Sequence, residues 1–113
     1  MIENERPMYL IAQLKVKNRD EYISRYGVSV IAMLERLGAS VLVAEPAPDV
    51  LEGTQCDWTV VVKFPNRKIA EAWYHFEEYA PYRKLRITEL TTGGSAVFAP
   101  GFAPGFDPAA FSS

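Results

Sequence analysis

The chain has 113 residues, 49% hydrophobic and 23% charged, which fits one globular domain with a modest core and excludes disorder for the body of the chain. A formal net charge of -2, with the basic residues scattered, excludes nucleic-acid binding through phosphate contacts. The polar, acidic start and strand-length apolar runs argue against a signal peptide or a membrane span, and a single cysteine forbids an internal disulfide, so the expected location is the cytoplasm.

Residues 8–16 are rich in β-formers, and Leu14 and Val16 alternate with Gln13 and Lys15, which predicts a first strand with one buried face. Asn18 or Asp20 caps the helix that follows, where Tyr22, Tyr26, Val30, Leu34 and Leu37 recur at helical spacing and Gly38 provides the stop. Gly27 falls inside this helix at a cost of about 1 kcal/mol relative to alanine, which predicts a bend or a close contact there. Residues 40–45 form the second strand, broken by Pro46 and Pro48. Residues 57–64 are a near-continuous apolar run suited to a central third strand, ended by Pro65.

Asn66 caps a second helix running to about His75, with Ile69, Ala72, Trp73 and Phe76 as its expected buried stripe. Residues 78–90 read as a third helix with Tyr79, Tyr82, Arg86 and Leu90 on one face. Gly93-Gly94 reads as a turn, and residues 95–99 as a short last strand. This order predicts an α+β fold: a ferredoxin-like βαββαβ sandwich with an extra helix before the last strand and its helices on one sheet face. A chain this short has no cover of its own for the other face, and a second copy is the simplest lid, so a homodimer is expected.

The domain is expected over residues 1–98, followed by a Pro/Gly/Phe-rich extension over residues 99–113. In that extension Ala99-Pro100-Gly101-Phe102 repeats as Ala103-Pro104-Gly105-Phe106, and Phe111 follows. Alternating proline and glycine exclude helix and ladder, and the three phenylalanines are expected to dock rather than stay loose.

The segment Trp58-Thr59-Val60-Val61-Val62-Lys63-Phe64-Pro65-Asn66 is followed by Ala70-Glu71-Ala72-Trp73-Tyr74, then Glu78-Tyr79 and Arg86. Together these resemble a bacterial dimeric α/β-barrel family known as a domain of unknown function, numbered 1330. The family commonly has Ser-Pro before its Glu-Tyr, where this chain has Phe76-Glu77, and its members usually end soon after the last strand. The resemblance implies a ferredoxin-like protomer in a homodimer whose sheets form a barrel, and no common reaction.

Inner helical faces in such a fold line a cleft between sheet and helices: Tyr22 and Tyr26 from the first helix, Trp73 from the second, Tyr79, Tyr82 and Arg86 from the third. Phenols donate and accept hydrogen bonds and guanidinium clamps a carboxylate, so the set suits a small anionic or aromatic ligand. A buried Arg86 must meet an anion, and two readings stand: a ligand, or a protein acid such as Glu52 or Glu45. Glu52 and Tyr79 are the candidate acid–base groups. His75, the only histidine, resembles half of the His–Tyr pair used by cyclases and isomerases of related barrel families, yet it turns about 120° from the buried stripe toward solvent.

Cys56, beside Asp57, reads as a loop cysteine rather than a nucleophile. Metal-ligand spacing, a phosphate-binding loop and a Ser-His-Asp spacing are all lacking, so neither metal nor cofactor is expected. The resulting expectation is a small metal-free enzyme acting by proton transfer (an isomerase, cyclase or lyase) on an aromatic or carboxylated metabolite. The alternative is a non-catalytic homodimeric module for small-molecule binding or protein interaction.

Overall fold

The computed structural model describes residues 6–53 and 57–102. In chain order the elements are β1 (Met8–Val16), α1 (Arg19–Tyr22), a first π turn (Ile23–Gly27), α2 (Val28–Arg36), β2 (Ser40–Glu45), β3 (Trp58–Phe64), α3 (Arg67–His75), α4 (Ala80–Leu85), a second π turn (Arg86–Leu90) and β4 (Thr91–Pro100). The four strands form one antiparallel sheet in the order β2-β3-β1-β4, giving an α+β fold. β3 lies inside the sheet, as its unbroken apolar run predicts. Among the described residues no helix is long and apolar enough to cross a membrane.

Local chemistry accounts for the helix boundaries. The Asn18 side chain accepts from the Glu21 N–H at 2.9 Å, and the Asn66 side chain accepts from the Ile69 N–H at 2.9 Å. Gly38 ends α2 with a φ of 79°, a conformation that glycine reaches without strain. The far end of β4 is held to the start of β1: the Gly101 N–H donates to the Pro7 carbonyl at 2.8 Å, and Arg6 donates to the Gly101 carbonyl at 2.7 Å.

The core lies between the sheet and its helices. Met8, Ala12 and Leu14 of β1 and Trp58, Val62 and Phe64 of β3 are buried there against Tyr22, Tyr26, Val30, Trp73 and Tyr79. Each such aliphatic or aromatic side chain contributes about 1.5–3 kcal/mol on burial. On the opposite face one register row crosses all four strands as Val43, Val61, Ile11 and Val97. Ile11, Val43 and Val97 in that row are exposed.

The structure corrects several expected boundaries. The last strand is β4, running from Thr91 to Pro100, and Gly93 and Gly94 lie within it opposite Lys15 and Leu14. Gly94 has a φ of 128°, and a Cβ there would stand 2.2 Å from the Gln13 carbonyl oxygen, so the glycine serves close strand approach rather than a turn. Residues 78–90 do not form one regular helix: α4 begins at Ala80 and passes into the second π turn at Arg86.

On α3, Ala70 and Trp73 are buried, whereas Ala72 and Phe76 are exposed. Phe76 caps the helix with an extended backbone, φ -63° and ψ 143°, which takes it off the helical stripe. The irregularity expected near Gly27 takes the form of the first π turn, and a Cβ at Gly27 would meet only ordinary contact, 3.7 Å from the Tyr22 carbonyl oxygen. Cys56, Phe106 and Phe111 lie outside the described residues; Phe102 is exposed.

Candidate functional site

Both π turns carry residues of the cleft. Tyr26 lies in the first, and Arg86 opens the second. A π turn widens the helix by one residue and re-aims its side chains, which is why such turns recur at functional sites. Arg25 ties the two turns together, pairing with Glu21 at 2.8 Å and reaching Glu89 at 3.5 Å. The Thr91 hydroxyl donates to the Arg86 carbonyl at 2.8 Å, and the Thr91 N–H donates to the same oxygen, which closes the second π turn.

Between these turns and the sheet lies a cavity of about 80 Å³. A water occupies roughly 10–15 Å³ on such a measure, so the space holds several waters or a small compact ligand. An arc of rings bounds it. Trp58 and Tyr22 have centroids 4.9 Å apart, Tyr22 and Tyr26 5.1 Å, Tyr26 and Tyr79 6.3 Å, and Tyr79 and Trp73 4.1 Å. Leu10, Leu14, Val60 and Val62 form the floor. Arg86 is the only charged side chain among the described lining residues.

The polar groups of the site are few and deeply placed. The Tyr26 and Tyr79 hydroxyls share a buried hydrogen bond of 2.6 Å. Burial pushes the Tyr26 phenol well above its ordinary range, and the neighbouring phenols of Tyr79 and Tyr22 push it further. Burial likewise raises Tyr22, partly offset by the Arg86 charge. Both therefore stay protonated near neutral pH and keep a proton that can be donated. The Trp73 indole Nε1–H is buried with no partner among the described residues.

Arg86 is 9% exposed. Burial is the largest single influence on it and pulls its pKa down, but the phenols of Tyr79 and Tyr26 outweigh that influence, a hydrogen bond to Tyr79 included. The net direction is upward, and the guanidinium keeps its charge. Of the two readings for its anion, the protein acid is not found: among the described residues no ion pair reaches Arg86. Glu45 is exposed and accepts from the Ala47 N–H at 3.1 Å.

The structure brings together Tyr22, Tyr26, Trp73, Tyr79 and Arg86. It leaves three expected site residues outside. Glu52 is exposed in the connection after β2, beside a Leu51 that is 94% exposed, because that segment stands off the sheet. His75 is exposed at the end of α3 and lines a separate outer depression with Glu71 and Tyr74. Tyr82 is half-buried against the core but does not line the cavity. Conversely Trp58 and Ala96 line it without having been singled out from the sequence, and Tyr74, which stands beside His75 in the sequence as a possible His–Tyr pair, lines it without the histidine. The inward alternation of β3 was the available signal for Trp58.

The described residues contain no cluster of three or more metal-ligating side chains. Among curated proteins none matches the chain. In fold the chain is similar to the methylated RPA0582 protein, whose crystal structure superposes with a TM-score of 0.72 at 17% identity, covering 90% of this chain and 85% of that one. It is also similar to a second crystal structure, that of the RPA0582 protein of unknown function from Rhodopseudomonas palustris, with a TM-score of 0.69 at 17% identity, covering 88% and 85%. At such identity the likeness speaks for the fold alone. The family described as "Domain of unknown function (DUF1330)" matches residues 7–100, nearly the whole described chain, and the protein belongs to that family.

Proposed function

We propose that the domain binds a small carboxylate with a compact apolar body in the cavity between sheet and helices. The observation that carries this reading is the buried Arg86 guanidinium, set in the wall of an apolar, aromatic cavity with phenols as its polar company. A buried charge calls for a counter-charge, and a ligand carboxylate supplies it in bidentate geometry. In the Tyr26–Tyr79 pair one hydroxyl proton is used between the two rings, and the other remains to donate to the same anion.

A thermal-shift titration with benzoate and hexanoate, on the wild type and on Arg86→Gln, tests this. A ligand at a hundred times its dissociation constant adds about 2.7 kcal/mol, so the wild-type midpoint rises clearly and the Arg86→Gln midpoint stays put. A wild type that neither acid stabilises would sink the reading.

A second reading, proton-transfer chemistry of the isomerase, cyclase or lyase kind, rests on the same Tyr26–Tyr79 pair. Two hydrogen-bonded phenols beside a guanidinium can stabilise an oxyanion that develops on a bound substrate. The described lining residues include no carboxylate or imidazole, so the site is richer in donors than in bases. This favours binding over turnover.

The protomer reads as a ferredoxin-like sandwich, and its bare sheet face as the seat of a homodimeric barrel. The row Val43, Val61, Ile11 and Val97 is flanked on one side by Ser40, Lys63, Tyr9 and Ala99, and on the other by Glu45, Thr59, Gln13 and Ser95. A two-fold axis along the apolar row sets the flank with Lys63 of one copy over the flank with Glu45 of the other. The lone cysteine, which can form no internal disulfide, supports a cytoplasmic setting for such a dimer.

A further inference from the structure

Three hollows meet at one residue. Ala96 lines the cavity, a shallower polar depression over residues 91–95, and the outer depression beside His75. Arg86 and Leu14 are shared between the cavity and the polar depression, and Leu10 and Tyr74 between the cavity and the outer one. Ala96 pairs with the buried Ala12 and so belongs to the helix-covered face, yet it is itself exposed. It can be both because, among the described residues, β4 is the sheet's edge strand with no further strand beside it.

From this arrangement we infer that Ala96 is the threshold of the cavity and sets which ligands pass. The ligand lies with its apolar body inside and its carboxylate at the mouth beside Arg86. This rests on the carboxylate reading above and adds an orientation to it. The orientation follows from the walls. Inward of Arg86 the lining is aliphatic and aromatic, whereas the depression outward of it is lined by Thr92 and the bare backbone of Gly93 and Gly94, beside Ile87. A carboxylate at this boundary meets the guanidinium while keeping part of its hydration, and no charge enters the aromatic arc. The ligand class is thus a monocarboxylic acid with an uncharged inner end. A methyl side chain at position 96 leaves the mouth open, and a larger one closes it.

Both tryptophans of the chain, Trp58 and Trp73, line the cavity, so their fluorescence reports its occupancy. Hexanoate, benzoate and adipate are titrated against the wild type, Ala96→Phe, Ala96→Leu and Arg86→Gln, each checked for a wild-type melting midpoint. The exposed position 96 tolerates both replacements, and the leucine variant serves should the phenylalanine one melt early.

The wild type is expected to bind hexanoate and benzoate. The position-96 variants are expected to lose at least tenfold in affinity for both acids, and adipate to bind the wild type at least tenfold more weakly than hexanoate. Position-96 variants that titrate within twofold of the wild type overturn the threshold, and adipate binding as well as hexanoate overturns the orientation. Weakened binding in the position-96 variants with Arg86→Gln unaffected leaves the threshold standing and removes the carboxylate reading. A wild type silent to all three acids removes both.

Discussion

Both faces of the sheet carry apolar side chains and put them to different uses. The covered face mixes aliphatic strand residues with Trp58, Phe64 and, from the helices, Tyr22, Tyr26, Trp73 and Tyr79. Rings of that size and stiffness, meeting at tilted angles, do not close completely over a sheet, and the space they leave is the cavity beside Arg86. The bare face presents β-branched side chains in one flat row, Val43, Val61, Ile11 and Val97. Such a row makes a low ridge suited to a second flat surface rather than a pocket for a small molecule. The two faces differ in burial and also in side-chain shape.

The largest effect that sharpens this contrast is expected from Trp73→Ala. Trp73 is 1% exposed and packs on Tyr79 and Phe64, so truncation should cost about 3–5 kcal/mol in a urea titration. Ile11→Ala on the bare face, at 39% exposure, should cost far less in the monomer. Equal losses would show that the bare face is as tightly packed as the covered one.

The next effect belongs to the bare face. Val61 sits in the middle of the apolar row, between Ile11 and Val43. Val61→Asp should weaken self-association at least a hundredfold in sedimentation equilibrium, about 2.8 kcal/mol, with the helical signal retained. A wild type that sediments as a monomer at micromolar concentration would remove the dimer proposal altogether.

Legibility in the sequence differed by region for physical reasons. β1, β2 and α3 announce themselves through alternation, breakers and the Asn66 cap, and Tyr22, Tyr26, Trp73, Tyr79 and Arg86 line one cavity, although the expected third-helix stripe is broken before Ala80 and at Arg86. The first half of β4 was hidden because Thr91-Thr92-Gly93-Gly94-Ser95 has no apolar alternation and is held in the sheet by pairing with β1. Ala96 as a cavity residue depends on strand register, which local spacing does not encode. The π turns were hidden too, since their extra residue shifts the helical phase without changing composition. Glu52 could not be excluded from the sequence because a loop's distance from the sheet is a tertiary property.

Alkaline pH should separate the faces more gently. Tyr22 and Tyr26 are held above the ordinary phenol value of 10.0, chiefly by burial. Below pH 10 the phenols are protonated in both folded and unfolded chains, and their stabilising contribution is fully present. As pH rises past 10 the unfolded phenols ionise while the folded ones resist, so stability is lost at about 1.4 kcal/mol per phenol per pH unit until the folded phenols ionise as well. Urea midpoints at pH 8, 10 and 11 should be flat over the first interval and fall over the second. Tyr22→Phe should flatten the fall, and a slope unchanged in that variant would detach the effect from the cavity.

The smallest effect is expected from one oxygen atom. Tyr26→Phe keeps the ring between Tyr22 and Tyr79 and removes only the 2.6 Å hydroxyl contact. Its cost should be about 0.5–1.5 kcal/mol, the usual worth of a buried hydrogen bond, because Tyr79 still has Arg86 beside it. Tyr9→Phe on the bare face is the matched control and should leave stability within about 0.5 kcal/mol. Carboxylate binding should respond in the same order, since Tyr26→Phe withdraws a donor from the anion's surroundings and Tyr9 lies on the far side of the sheet. Should Tyr26→Phe leave both stability and carboxylate affinity unchanged, the phenol pair contributes only its rings, and the polar chemistry of the covered face reduces to Arg86.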